Sequence, residues 1–136
     1  MFNFFLVLHV VSMSLVIGTL FLQSLTVVFR LRLKSADELI GIRKIQTRVH
    51  TFIYYPILAV TLFSGLYLAA QTKVFSKDQL WIYWKLLSLI ILVGLGVLNG
   101  KQIQTDVLPK KYAMMVHIAI FIVGAFMIFL AISKAF

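Results

Sequence analysis

Four long apolar runs, at residues 2–29, 51–70, 80–100 and 113–132, leave this 136-residue chain few ways to fold. Each meets the ~20 residues that an α-helix needs to cross ~30 Å of hydrocarbon. At that depth every backbone N–H and C=O must be satisfied within the protein, which selects helices. The connections are too short to fold by themselves, so one domain is expected. The expected class is an all-α membrane protein, with four transmembrane helices in an up-down bundle. Ser35-Ala-Asp-Glu38 reads as a capping box, so a short interfacial helix over residues 36–44 should feed the second span. Ser76-Lys-Asp-Gln79 offers a similar start for the third span, followed by Trp81, Tyr83 and Trp84 at the interface.

Charge supplies the orientation. Hydrophobic residues make up 62% of the chain and charged ones 12%, about half the share in a soluble domain. The net charge of +9 would suit nucleic acid, but its placement argues for a membrane instead. Arg30, Arg32, Lys34, Arg43, Lys44 and Arg48 lie between the first two spans, and Lys101, Lys110 and Lys111 between the last two. Only Lys73, Lys77 and Lys134 flank the opposite ends. Nine against three predicts cytoplasmic basic loops, both termini in the periplasm, and a multi-pass protein of a bacterial inner membrane. The basic loops should meet anionic lipid rather than nucleic acid. The first span lacks a basic leader and is too long for a signal peptide, so it should remain as a helix. With no cysteine, disulfides, iron–sulfur clusters and thiolate chemistry are excluded.

The apolar runs carry His9, Lys85 and His117, and His50 stands at the start of the second; these include all three histidines of the chain. An ionisable group at this depth costs several kcal/mol unless it is paired, solvated or bound, about 2.5–3.5 for a lysine on the insertion scale. Helical spacing gathers them into stripes: His9, Ser12, Val16, Thr19 and Gln23; His50, Tyr54, Ile57, Thr61 and Ser64; Lys85, Ser88, Leu92, Gly96 and Asn99; His117, Phe121, Gly124, Ile128 and Ala131. Small and polar residues belong where membrane helices meet, so all four stripes are expected to point inward. At ~1.5 Å per residue, His9 and Lys85 fall at matching depths near the outer end. His50 and His117 form a second pair near the cytoplasmic end.

Two histidines at like depth on different helices can hold haem b, since neutral imidazole suits iron and Phe and Leu suit the porphyrin faces. Arg48 and its basic neighbours would take the propionates. His9, His50 and His117 are therefore the candidate iron ligands, and without cysteine the haem would be non-covalent. No carboxylate, cysteine or close His-x3-His spacing accompanies them, which argues against zinc or copper. Lys85 could snorkel to the interface on its own stem. On a stripe with Ser88 and Asn99, it is instead expected to pair a carboxylate or move protons.

Along nearly its whole length the chain resembles the HemJ-type protoporphyrinogen IX oxidases, whose shorter relatives are grouped with CopD-like membrane proteins. Leu8-His9 resembles the family's opening Leu-His, with Gly18 to Phe21 beyond it. Arg48 precedes the second span, and Pro56 and Gly65 keep a proline-to-glycine spacing. Trp81 and Trp84-Lys85 resemble its tryptophan–lysine element, and Ser133-Lys134-Ala135-Phe136 its Lys-Pro-Phe terminus. The family's Leu-Pro-Arg is here Leu22-Gln23-Ser24, and its late third-span histidines are replaced around Asn99. The resemblance implies haem b held by His9, oxidation of protoporphyrinogen IX to protoporphyrin IX, and electrons passed to quinone or another membrane acceptor. Lys85 would then be the catalytic position, the porphyrin the substrate, and a homo-oligomer compatible with both. Two other readings stay open: a b-type electron-transfer or haem-binding protein without substrate chemistry, and a CopD-like transport or structural protein.

Overall fold

The computed structural model describes residues 2–72, 80–105 and 108–133, and they are helical almost throughout. The start signal at Ser76–Gln79, the flanking cations Lys73, Lys77 and Lys134, and the terminal Phe136 lie outside these residues. Helix α1 spans Phe2–Arg30, α2 Ala36–Val49, α3 Tyr55–Thr72, α4 Leu80–Gln104 and α5 Lys110–Ser133. Four helical stretches are long and apolar enough to cross a membrane: Asn3–Arg30, Ala36–Gln71, Ile82–Gln104 and Lys110–Ile132. The chain is thus a multi-pass membrane protein.

Its surface is inverted relative to a soluble protein. Phe52, Phe63, Ile90 and Ile132 are exposed, whereas His9, Gln23, Ser24, Gln46, Asn99 and Gln102 are buried. A soluble monomer rarely exposes apolar surface on this scale. In hydrocarbon the arrangement is favourable, because association there relies on close packing and inter-helix hydrogen bonds.

Side-chain contacts define the topology. His9 of α1 meets Thr61 and Ser64 of α3, and Gln23 meets Gln46 of α2, so α1 runs antiparallel to the second span. Ser24 meets His117, and Gly124 accepts Ile17, which makes α5 antiparallel to α1 as well. A Cβ at Gly124 would stand 2.7 Å from Ile17 Cγ2, so glycine is what allows this approach. Tyr54 lies on Gly96 and His50 on Gly100, which sets α4 antiparallel to α3. In cross-section the order is α3, α1, α5, α4. Backbone approaches are close along α1–α3, α1–α5 and α4–α5 and sparse, among the described residues, between α3 and α4. Tyr54, Leu58 and Leu92 share one core cluster across that seam. It remains the loosest side of the bundle.

The short interfacial helix expected over residues 36–44 is longer than that. Ser35 does cap α2, its hydroxyl accepting the Glu38 N–H at 3.4 Å. The helix then runs through a π-helical turn, His50–Tyr54, directly into α3. Pro56 follows at once. Its ring would crowd the carbonyl four residues earlier in a regular α-helix. The wider turn, closed by Tyr55 N–H to the His50 carbonyl, relieves that conflict without breaking the span.

The stripes on α1, on the second span and on α4 point inward as expected: His9, Ser12, Val16, Gln23, Tyr54, Thr61, Ser64, Ser88, Leu92 and Asn99 are all buried. The stripe on α5 does not. Phe121 and Ile128 are exposed, and the buried face is Ala113, Val116, Ile120, Met127 and Leu130. That helix is apolar all round, so His117 and Gly124 were its only phase markers, and they mark one flank of the buried face.

Candidate functional site

His9 is the best-defined ionisable side chain. Its Nδ1 lies 3.0 Å from the Thr61 carbonyl oxygen and 3.1 Å from Ser64 Oγ. A carbonyl can only accept, so Nδ1 carries the proton. The Ser64 hydroxyl donates its single proton to the backbone, with the Val60 carbonyl at 2.8 Å and the Thr61 carbonyl at 3.1 Å. It can therefore accept the shared His9 proton. These bonds fix both the ring orientation and the tautomer, leaving the lone pair on Nε2. Gly65 makes room: a Cβ there would stand 2.8 Å from His9 Cε1.

His9 and Lys85 line one cavity of about 100 Å³, together with Met13, Gly65, Leu66 and Met127. The expected outer pair is thus brought together. Lys85 is buried on the same wall as the imidazole. Leu62 and Leu66 border the cavity and are exposed on the outer surface of the bundle, so it opens toward lipid along the α3–α4 seam. Met13 and Met127 were not singled out as a pair by the sequence. Their separation along the chain hides that α1 and α5 deliver both thioethers to the wall that holds His9.

The expected inner pair is not brought together. His50 faces the α3–α4 seam, where it stacks on Tyr54 with centroids 4.6 Å apart and meets Tyr55 edge-on at 5.0 Å. His117 faces the α1–α5 seam on the opposite side, its Nδ1 2.7 Å from Ser24 Oγ and its ring 4.9 Å from Phe21. It is only half-buried. Arg48 is exposed on α2.

Arg30 has a role that its sequence position concealed. Among the loop cations it reads as a topology signal, yet only 4% of its surface is exposed. Its guanidinium donates to the carbonyls of Ile103 (2.9 Å) and Thr105 (2.8 Å) at the end of α4 and to Gln46 Oε1 (3.1 Å). Gln46 and Gln23 are themselves paired, each amide nitrogen donating to the other's backbone carbonyl at 3.0 and 2.9 Å. One polar lock therefore joins α1, α2 and α4 at the end of the bundle where α1 passes to α2, and satisfies carbonyls that a helix terminus leaves open. The position of Gln23 near the end of the first span was the available signal.

No protein-family model, curated protein or solved structure matches the chain.

Proposed function

We propose that this protein is a haem b-binding membrane oxidoreductase of the HemJ-like kind, oxidising protoporphyrinogen IX to protoporphyrin IX and delivering electrons to a membrane acceptor. The observation that carries the reading is the anchored imidazole of His9 in one cavity with Lys85. A histidine that gives Nδ1–H to a backbone carbonyl presents Nε2 in the form iron binds, and the second bond to Ser64 holds it in place. On donor chemistry the residues fit the group. On volume, ~100 Å³ is below the ~300–1,000 Å³ of a complete ligand pocket, so the cavity would enclose only part of a macrocycle. The remainder would lie in the lipid-open seam against Leu62 and Leu66, whose apolar faces suit a porphyrin. When bound, haem supplies the one-electron redox chemistry. His9 would hold the iron through Nε2, and the ammonium of Lys85 would pair a propionate or relay a proton.

A bis-histidine electron-transfer centre draws no support from His50 and His117, which stand on opposite seams. A second reading does have an observation behind it. Met13 and Met127 join His9 on the cavity wall, a soft donor set suited to Cu(I), and the volume suits an ion. The cation Lys85 opposes it.

The remaining assignments follow the charge pattern: a bacterial inner membrane, basic loops in the cytoplasm, and both termini in the periplasm. Reporter fusions at Phe136 active only in the cytoplasm would overturn the orientation. The enzymatic reading is tested with Lys85→Met, assayed by protoporphyrin formation in membranes. The expected result is haem retained and turnover lost. Normal turnover in Lys85→Met would remove the proposed role. Cu(I) bound by wild type but not by Met13→Leu, with no haem acquired, would establish the copper reading instead.

A further inference from the structure

A second cavity lies at the other end of the same seam. It measures about 550 Å³ and is lined by His50, Tyr55, Val97, Gly100, Lys101 and Gln104 among others. His50 is 95% buried, with 5% of its surface exposed, yet neither of its ring nitrogens has a hydrogen-bond partner among the described residues. The Gly96 carbonyl approaches the ring without reaching hydrogen-bond geometry. What holds the imidazole is aromatic contact: Tyr54 stacked on one side and Tyr55 edge-on to it. Gly100 leaves the space it needs, since a Cβ there would stand 3.0 Å from Nε2. The residue is thus positioned by its carbon framework, and its polar atoms are kept out of the internal network. It also begins the π-helical turn, a distortion that recurs at functional positions.

The surroundings select the ligand class. Tyr55 and Val97 are exposed toward lipid, and among the described residues of the wall Lys101 alone is charged. The wall also includes the end of α4, whose carbonyls are taken up by Arg30 and, at Gln104, by Arg43. Both guanidinium groups are already engaged with carbonyls, and what the site leaves open is the pair of ring nitrogens of His50. A neutral planar ring with carbonyl oxygens is well served, because a neutral imidazole donates from one nitrogen and accepts at the other. The volume lies within the ~300–1,000 Å³ of small-molecule pockets. We propose that the cavity beside His50 binds the headgroup of a membrane quinone, with a carbonyl oxygen on the imidazole and the apolar tail leaving past Tyr55 and Val97 into the bilayer. This site offers a place for the membrane electron acceptor, but it does not depend on haem at His9.

The test measures binding alone, on purified full-length protein in neutral detergent, with decylubiquinone as the probe and the thermal unfolding midpoint as the readout. A ligand that binds only the folded state raises that midpoint in a saturable way. Wild type should show such a rise. His50→Phe keeps the ring contacts with Tyr54 and Tyr55 but removes both nitrogens. It should raise the midpoint of the ligand-free protein, since two unsatisfied buried polar atoms are gone, and weaken decylubiquinone at least tenfold. Gly100→Ala, which presses on Nε2 without removing it, should also reduce the response. An equal response in wild type and His50→Phe overturns the proposal. So does a wild-type response to phosphatidylglycerol but not to decylubiquinone. If His50→Phe does not fold, a full decylubiquinone response in Gly100→Ala overturns it.

Discussion

Substituting Gly65 by alanine separates this packing from a generic helix bundle. The new Cβ would stand 2.8 Å from His9 Cε1 and 3.3 Å from Nδ1. Carbon–carbon contacts settle at about 3.5–4.0 Å, so the ring must withdraw by about 0.7 Å. Its bonds to Thr61 and Ser64 are 3.0 and 3.1 Å long, and would then stretch beyond the ~3.2 Å that N–H···O tolerates. A buried donor left unsatisfied costs about 1–3 kcal/mol. Alanine gains about 0.5–1 kcal/mol over glycine in a helix, which offsets part of this. The expected net effect is destabilisation by about 1–2 kcal/mol. Gly18 provides the control, because a Cβ there meets nothing within 4 Å. Gly18→Ala should be neutral or stabilising. Reversible unfolding in mixed micelles, followed by circular dichroism, would measure both. If Gly65→Ala is as stable as Gly18→Ala, His9 is not seated against α3 as described.

The polar lock gives two further expectations. Arg30→Met removes a buried guanidinium and leaves the Ile103 and Thr105 carbonyls without it, so destabilisation of about 3 kcal/mol or more is expected in the same assay. Arg30→Lys keeps the charge without the planar fork and should fall between the two. Gln46 Nε2 also donates to Gln23 Oε1 at 3.3 Å, so the changes of Gln23 and Gln46 to leucine should together cost less than the sum of the two single changes. Strict additivity in that cycle would mean the two amides do not act as a pair.

Much of the bundle was legible in the sequence because the bilayer permits so few solutions. Run length gave the spans, and the small and polar stripes on α1, the second span and α4 gave the inward faces. Depth counting pairs His9 with Lys85, and the two line one cavity. The failures have physical causes. Helix α5 has no polar face, so two markers set its phase wrongly. Counting depth also cannot report azimuth: His50 and His117 lie toward the same end of the bundle but point into opposite seams. Met13 and Met127 meet only because α1 and α5 both flank one cavity. Arg30 looked like its neighbours Arg32 and Lys34, and what distinguishes it is the end of α4, seventy residues away, where Ile103 accepts its hydrogen bond.

The central claim is that His9 is a ligand-presenting imidazole, and the absorption spectrum of the purified protein tests it most directly. Expressed in a haem-replete host, wild type should carry non-covalent haem b with a Soret band. His9→Ala should lose that band or shift it, while His50→Ala and His117→Ala leave it in place. A wild-type spectrum without a Soret band, or one that His9→Ala leaves unchanged, would contradict the account.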